Sequence, residues 1–79
     1  MSSVLIECIR KYPEGVRSYR SLEVDGKQVT LFLSRKKFFP KAGYLMIKGE
    51  DSLEVKDVPE VELSQATKIF EEEIKLNQK

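Results

Sequence analysis

Asp25-Gly26 stands between two alternating, strand-like runs, residues 16–24 and 27–33, and no other dipeptide constrains the fold of this chain as strongly. A two-residue Asp-Gly loop has the backbone twist that paired strands require, so it predicts an antiparallel hairpin with a defined register. Carried outward without interruption, that register puts Val24 opposite Lys27, Leu22 opposite Val29, Arg20 opposite Leu31 and Ser18 opposite Leu33 on one face. The other face pairs Glu23 with Gln28, Ser21 with Thr30, Tyr19 with Phe32 and Arg17 with Ser34. The first face is the expected core. The second is expected to be polar apart from one cross-strand aromatic pair, Tyr19 and Phe32, with Arg17 beside it.

Further strands are expected on both sides of this hairpin. Residues 4–9 (VLIECI) form an apolar, β-branched run that ends at the breaker cluster Pro13-Glu14-Gly15, which reads as a first strand. Residues 44–48 (YLMIK) read as a fourth strand, and residues 52–58 (SLEVKDV) as a fifth, half-exposed one stopped by Pro59. Ala66, Ile69, Phe70 and Ile74 then recur at helical spacing. An amphipathic helix over about residues 65–77, capped by Ser64 and laid on the sheet, follows from that period. The 79 residues thus read as one small domain, α+β and mainly β: a five-stranded antiparallel barrel or sheet with a C-terminal helix.

Composition narrows the chemistry. Histidine is absent and Cys8 is the lone cysteine, which removes Ser-His and Cys-His nucleophiles, disulfides and cysteine-based metal clusters. Cys8 alternates with apolar residues and reads as a small buried hydrophobe. The carboxylate pairs Glu50 with Asp51 and Glu60 with Glu62 lack the further ligands a magnesium site needs. No metal, no cofactor and no enzymatic activity is expected. The apolar stretch near the N-terminus is short and contains Glu7, too polar for a signal peptide or membrane span, so a soluble, cytoplasmic protein is expected. Scarce Asn and Gln beside abundant Lys and Glu lean toward the thermophile pattern.

Charge is divided along the chain. Residues 1–48 hold ten of the fourteen Lys/Arg and four of the thirteen Asp/Glu, a net +6, whereas residues 49–79 hold four and nine, a net −5. In the positive half, Arg35, Lys36, Lys37 and Lys41 share a short connection with Phe38, Phe39 and Pro40, and the hairpin contributes Arg17, Tyr19, Arg20 and Phe32. Cations neutralise phosphates and exposed rings stack on unpaired bases, so this set is a candidate single-strand-binding surface for DNA or RNA. Phe38 and Phe39 read more simply as plugs for the end of a small barrel. In the negative half, Glu71, Glu72 and Glu73 sit where the helix dipole favours cations. They are read as a solvated face, as a docking surface for a basic partner, or as acids that fold back on the basic face.

Two stretches resemble an OB-fold nucleic-acid-binding domain. Residues 22–33 (LEVDGKQVTLFL) resemble its second and third strands, and residues 40–49 (PKAGYLMIKG) the approach to its fourth. Together they cover under a third of the chain, and the helix such domains carry between the third and fourth strands is reduced here to residues 34–41. An SH3-like barrel, or an open sheet capped by the terminal helix, are the alternatives. The resemblance implies nucleic-acid binding on the face of the second and third strands, with Tyr19 and Phe32 stacking and the cations tracking phosphates. The rival expectation is a small accessory subunit of a DNA-processing, polymerase or other macromolecular complex, which meets its partner through Glu71, Glu72 and Glu73.

Overall fold

In a computed structural model of the chain, residues 10 and 12–78 are described. The expected strand over residues 4–9, with Cys8 in it, lies outside them. The described residues form four antiparallel strands, β1 (Val16–Val24), β2 (Lys27–Ser34), β3 (Lys41–Lys48) and β4 (Leu53–Val61), followed by α1 (Leu63–Asn77). They lie in the order β1-β2-β3-β4 in one sheet. Because β1 and β4 do not pair, these strands make an open meander of four strands and not a five-stranded barrel. α1 covers one face of it.

The hairpin forms where the sequence places it. Asp25 and Gly26 have φ of 48° and 81°, the two successive positive values that a tight hairpin turn requires. From the turn outward the pairs are as expected as far as Arg20 with Leu31. There the register changes: Tyr19 is an extra residue, and Ser18 pairs with Phe32, Arg17 with Leu33 and Val16 with Ser34. This bulge abolishes the expected Tyr19–Phe32 pair. Phe32 instead pairs with Tyr44 of β3, their rings stacked with centroids 5.1 Å apart.

Both faces of the sheet carry apolar clusters. Under α1, Val29, Leu31 and Leu33 of β2 meet Leu45 and Ile47 of β3, Val24, Val58 and the helical stripe Ala66, Phe70 and Ile74. On the opposite face Tyr12 and Tyr44 are buried among Val16, Phe32, Ala42, Met46 and Val55. The Tyr12 hydroxyl donates to the Gly43 carbonyl at 3.1 Å. The face expected to be polar is therefore apolar at one end. It is polar near the turn, where Ser21 and Thr30 hydroxyls lie 3.0 Å apart and Gln28 donates to Ser21.

Gly43 is where the sheet is tightest. A Cβ there would stand 1.9 Å from the Phe32 carbonyl oxygen, so only glycine permits the β2–β3 approach at this point. The β3–β4 ladder also shifts register between Lys41 and Gly43, where Ala42 of β3 faces two residues of β4, Pro59 and Glu60. That irregularity absorbs Pro59, and β4 runs through it to Val61 where residue 58 was the expected end. Proline is tolerated because β4 is an edge among the described strands and the bulge removes the need for its N–H.

The helix begins earlier than expected. Its N-cap is Glu62, with no side-chain cap, where Ser64 was expected. The first backbone bond runs from Ala66 N–H to the Glu62 carbonyl at 2.9 Å, and burial of Ala66 against the sheet draws the chain into the helix at that point. The acidic triplet is split by the helical period. Glu73 lies seven positions beyond Ala66 on the buried stripe, 5% exposed, whereas Glu71 and Glu72 face solvent. Lys56 of β4 donates to both Glu73 carboxylate oxygens at 3.1 and 3.2 Å, and the Asn77 amide donates to one of them at 2.9 Å. Among the described residues no helix is long and apolar enough to cross a membrane.

Candidate functional site

The corner of the sheet beyond the β1 bulge is concave and basic. A groove of about 310 Å³ is lined there by Arg17, Ser18 and Tyr19 of β1, Leu33 and Ser34 of β2, Arg35, Lys36 and Lys37 of the connection, and Lys41 at the start of β3. The bulge explains why these residues meet. An extra residue twists and bends the strand and re-aims its side chains, so Arg17 lies opposite Leu33 where an unbroken register would set it opposite Ser34. No described carboxylate is in the lining.

Backbone contacts hold the connection in place. Gly15 has φ 87°, a value that favours glycine, and its N–H donates to the Tyr12 carbonyl at 2.8 Å. The turn so formed presents the Gly15 carbonyl to the Arg35 N–H at 3.3 Å. The Arg35 side chain lies over Gly15, its Cδ and Nε 3.7 Å from where a Cβ would be. The Tyr12 turn is itself anchored by the hydroxyl bond to Gly43, so the aromatic cluster behind the sheet positions a guanidinium at its corner.

The cations differ in their partners. Lys36 donates to Glu60 Oε2 at 2.9 Å, both side chains being about half exposed. That hydrogen bond, with the charge of Glu60 and a lesser contribution from Glu14, raises the Lys36 ammonium above its ordinary value. This contact joins the positive and negative halves of the chain. Arg17, Arg35, Lys37 and Lys41 form no ion pair among the described residues. Lys41 Nζ stands 4.8 Å from the Phe39 ring centroid and Lys37 Nζ 5.9 Å from that of Phe38, within the range of cation–π attraction.

Of the eight basic and aromatic residues singled out from the sequence, Arg17, Tyr19, Arg35, Lys36, Lys37 and Lys41 line the groove. Phe32 does not; it packs behind the sheet against Tyr44. Arg20 lies on the far side of the bulge, its guanidinium 5.6 Å from the Tyr19 ring centroid. It lines a separate hollow with Leu22, Phe70 and Glu71. Tyr19 is 37% exposed. The two phenylalanines part company: Phe39 packs against the core as expected, whereas Phe38 is 75% exposed and is no plug.

Sequence reasoning overlooked Ser34. The residue is 3% exposed and its hydroxyl has no hydrogen-bond partner among the described residues, an arrangement that costs about 1–3 kcal/mol for a buried polar group. It lines the groove with Arg17, Arg35, Lys37 and Lys41, which form no ion pair among the described residues. Its position at the end of a strand of alternating apolar residues gave no sign of this. Comparison of the chain with protein-family models, with curated proteins and with solved structures finds no match.

Proposed function

We propose that this protein binds nucleic acid, single strands in preference, at the basic groove and without transforming it. One observation carries the reading: Arg17, Tyr19, Arg35, Lys36, Lys37 and Lys41, scattered from residue 17 to residue 41, share one concave surface with no described carboxylate in its lining. Cations gathered against their mutual repulsion suit a polyanion, whose condensed counterions are released on binding. Tyr19 and Phe38 are exposed beside those cations. Each offers a stacking platform worth about 1–3 kcal/mol per unpaired base. Preference for unpaired strands rests on these rings, because a duplex hides the base faces they would cover.

The test is fluorescence anisotropy with single-stranded and duplex oligonucleotides over a salt series. Affinity should fall with salt, the log–log slope being about −0.7 for each phosphate contacted on a single strand. Arg35→Ala with Lys37→Ala should flatten the slope, and Tyr19→Ala with Phe38→Ala should reduce the preference for single strands. Absence of binding, or binding indifferent to salt, refutes the proposal.

A second reading, an accessory subunit of a larger complex, draws on the outer face of α1. Glu71 and Glu72 are exposed there, and Leu76, one turn beyond Glu72, is 73% exposed. Glu73 plays no part in it, being committed to Lys56. Glu71→Lys with Glu72→Lys should then abolish association with a purified basic partner while oligonucleotide binding persists.

A further inference from the structure

We infer that the groove seats the terminal phosphate of a nucleic-acid strand rather than an internal stretch of its backbone; this rests on the nucleic-acid reading above and specifies its ligand. Three observations bear on it. The first is convergence. A protein that tracks a backbone spreads its cations along a groove, whereas here Arg17, Arg35, Lys37 and Lys41 surround one hollow of about 310 Å³. That volume is at the small end of ligand pockets, enough for about one nucleotide with its phosphate and little of the chain beyond it. A phosphodiester brings a single charge, whereas a terminal phosphate carries about −1.5 to −2 at neutral pH.

The second observation is what lies next door. Past Ser34 and Lys36 the surface continues into an adjoining hollow lined by Glu14 and Glu60. A strand running through the groove would carry its next phosphates towards these carboxylates, and like charges brought together are costly. A strand that ends in the groove avoids them. Glu60, already bonded to Lys36, marks the closed side.

The third is Ser34. A terminal phosphate has three unesterified oxygens, all strong acceptors, where a diester has two. Ser34, a lining residue whose hydroxyl is buried and has no hydrogen-bond partner among the described residues, supplies a donor for the additional oxygen when its side chain turns towards the ligand, and a bond to an ionised acceptor is among the stronger kinds. Tyr19 lines the same groove, partly exposed, and takes the terminal base.

The experiment compares three versions of one short single-stranded oligothymidylate, with a 5′-phosphate, with a 3′-phosphate or with hydroxyls at both ends, by anisotropy at about 0.15 M salt. One phosphorylated form should bind about tenfold more tightly than the hydroxyl form, the scale of one added charge-assisted hydrogen bond. The arm that gains identifies the end recognised. Ser34→Ala should erase the difference and raise thermal stability, because it removes a buried hydroxyl that has no hydrogen-bond partner among the described residues. Lys37→Ala, at an exposed position, should reduce the difference independently of any effect of Ser34→Ala on folding. Equal affinity for all three forms overturns the inference and leaves nucleic-acid binding standing, whereas binding of none overturns both. A preference that survives both substitutions also overturns it.

Discussion

The helix-covered face of the sheet and the corner beyond the β1 bulge treat charge in opposite ways. Under α1 the one buried carboxylate among the described residues, Glu73, is held by Lys56 and Asn77, so the charge is compensated within the chain. At the corner Arg17, Arg35, Lys37 and Lys41 share a hollow without an ion pair among the described residues. A paired and buried charge is part of the structure's own balance, and removing one member leaves the other stranded. Cations gathered without a counterion weaken the fold slightly and gain from an external anion. The comparison separates residues whose charge maintains the fold from residues whose charge the fold does not use.

Four variants challenge that separation. Gly43→Ala should be the most damaging, at about 3–5 kcal/mol or loss of folding in denaturant titration, since backbone and not a flexible side chain occupies the space. A wild-type midpoint would show that the β2–β3 approach can relax, and with it the frame behind the groove. Lys56→Met should cost about 1–3 kcal/mol, reduced from the value for a fully buried pair because Lys56 is 41% exposed. Oligonucleotide affinity should not change; if it does, the two regions are not independent. Arg35→Ala with Lys37→Ala should reverse the pattern, with stability within about 0.5 kcal/mol of wild type and affinity at least tenfold lower by anisotropy.

Glu60→Gln should have the smallest effect, a few-fold gain in oligonucleotide affinity, since it frees Lys36 and removes an acid from the groove's flank. No gain would mean that Lys36 already contributes fully. The same pair has a defined pH sense. Lys36 is raised above its ordinary value in the folded protein, so what the pair contributes is fully present below the unfolded lysine value and is lost as pH rises through the higher folded one.

Several of these features were legible before the fold was known. Asp25-Gly26 specified its turn, because two positive φ values in succession leave few alternatives. The helical period located α1, and it also contained the fate of the triplet: Glu73 is in phase with Ala66 and Phe70, while Glu71 and Glu72 are not. Reading the three glutamates as one acidic patch missed that phase. Four of the groove's cations, Arg35, Lys36, Lys37 and Lys41, were visible as a cluster in the sequence, whereas Arg17 joins them through the hairpin.

The bulge was not legible. On β1 the residues from Val16 to Arg20 alternate weakly, and exposed Arg17, Ser18 and Tyr19 fit either register. What decided between them lies elsewhere: Phe32 stacks on Tyr44, and Tyr12 closes over the same cluster. Ser34 and Phe38 were hidden for a similar reason. Burial of one and exposure of the other follow from how residues 35–40 leave the sheet, which strand alternation does not encode.

Local rules thus determined by themselves the turn, the helix, the mainly β character and the two opposed charge fields, because each depends on backbone preference or periodicity within a few residues. Only the tertiary structure decided that the strands form an open meander, that Tyr19 and Phe32 part to opposite sides of a bulge, and that one glutamate is internal. It also gathered six of the candidate residues on the lining of one groove. Those outcomes depend on packing between segments far apart in the chain, where a single stacked ring or a missing Cβ outweighs the weak preferences of an exposed edge strand.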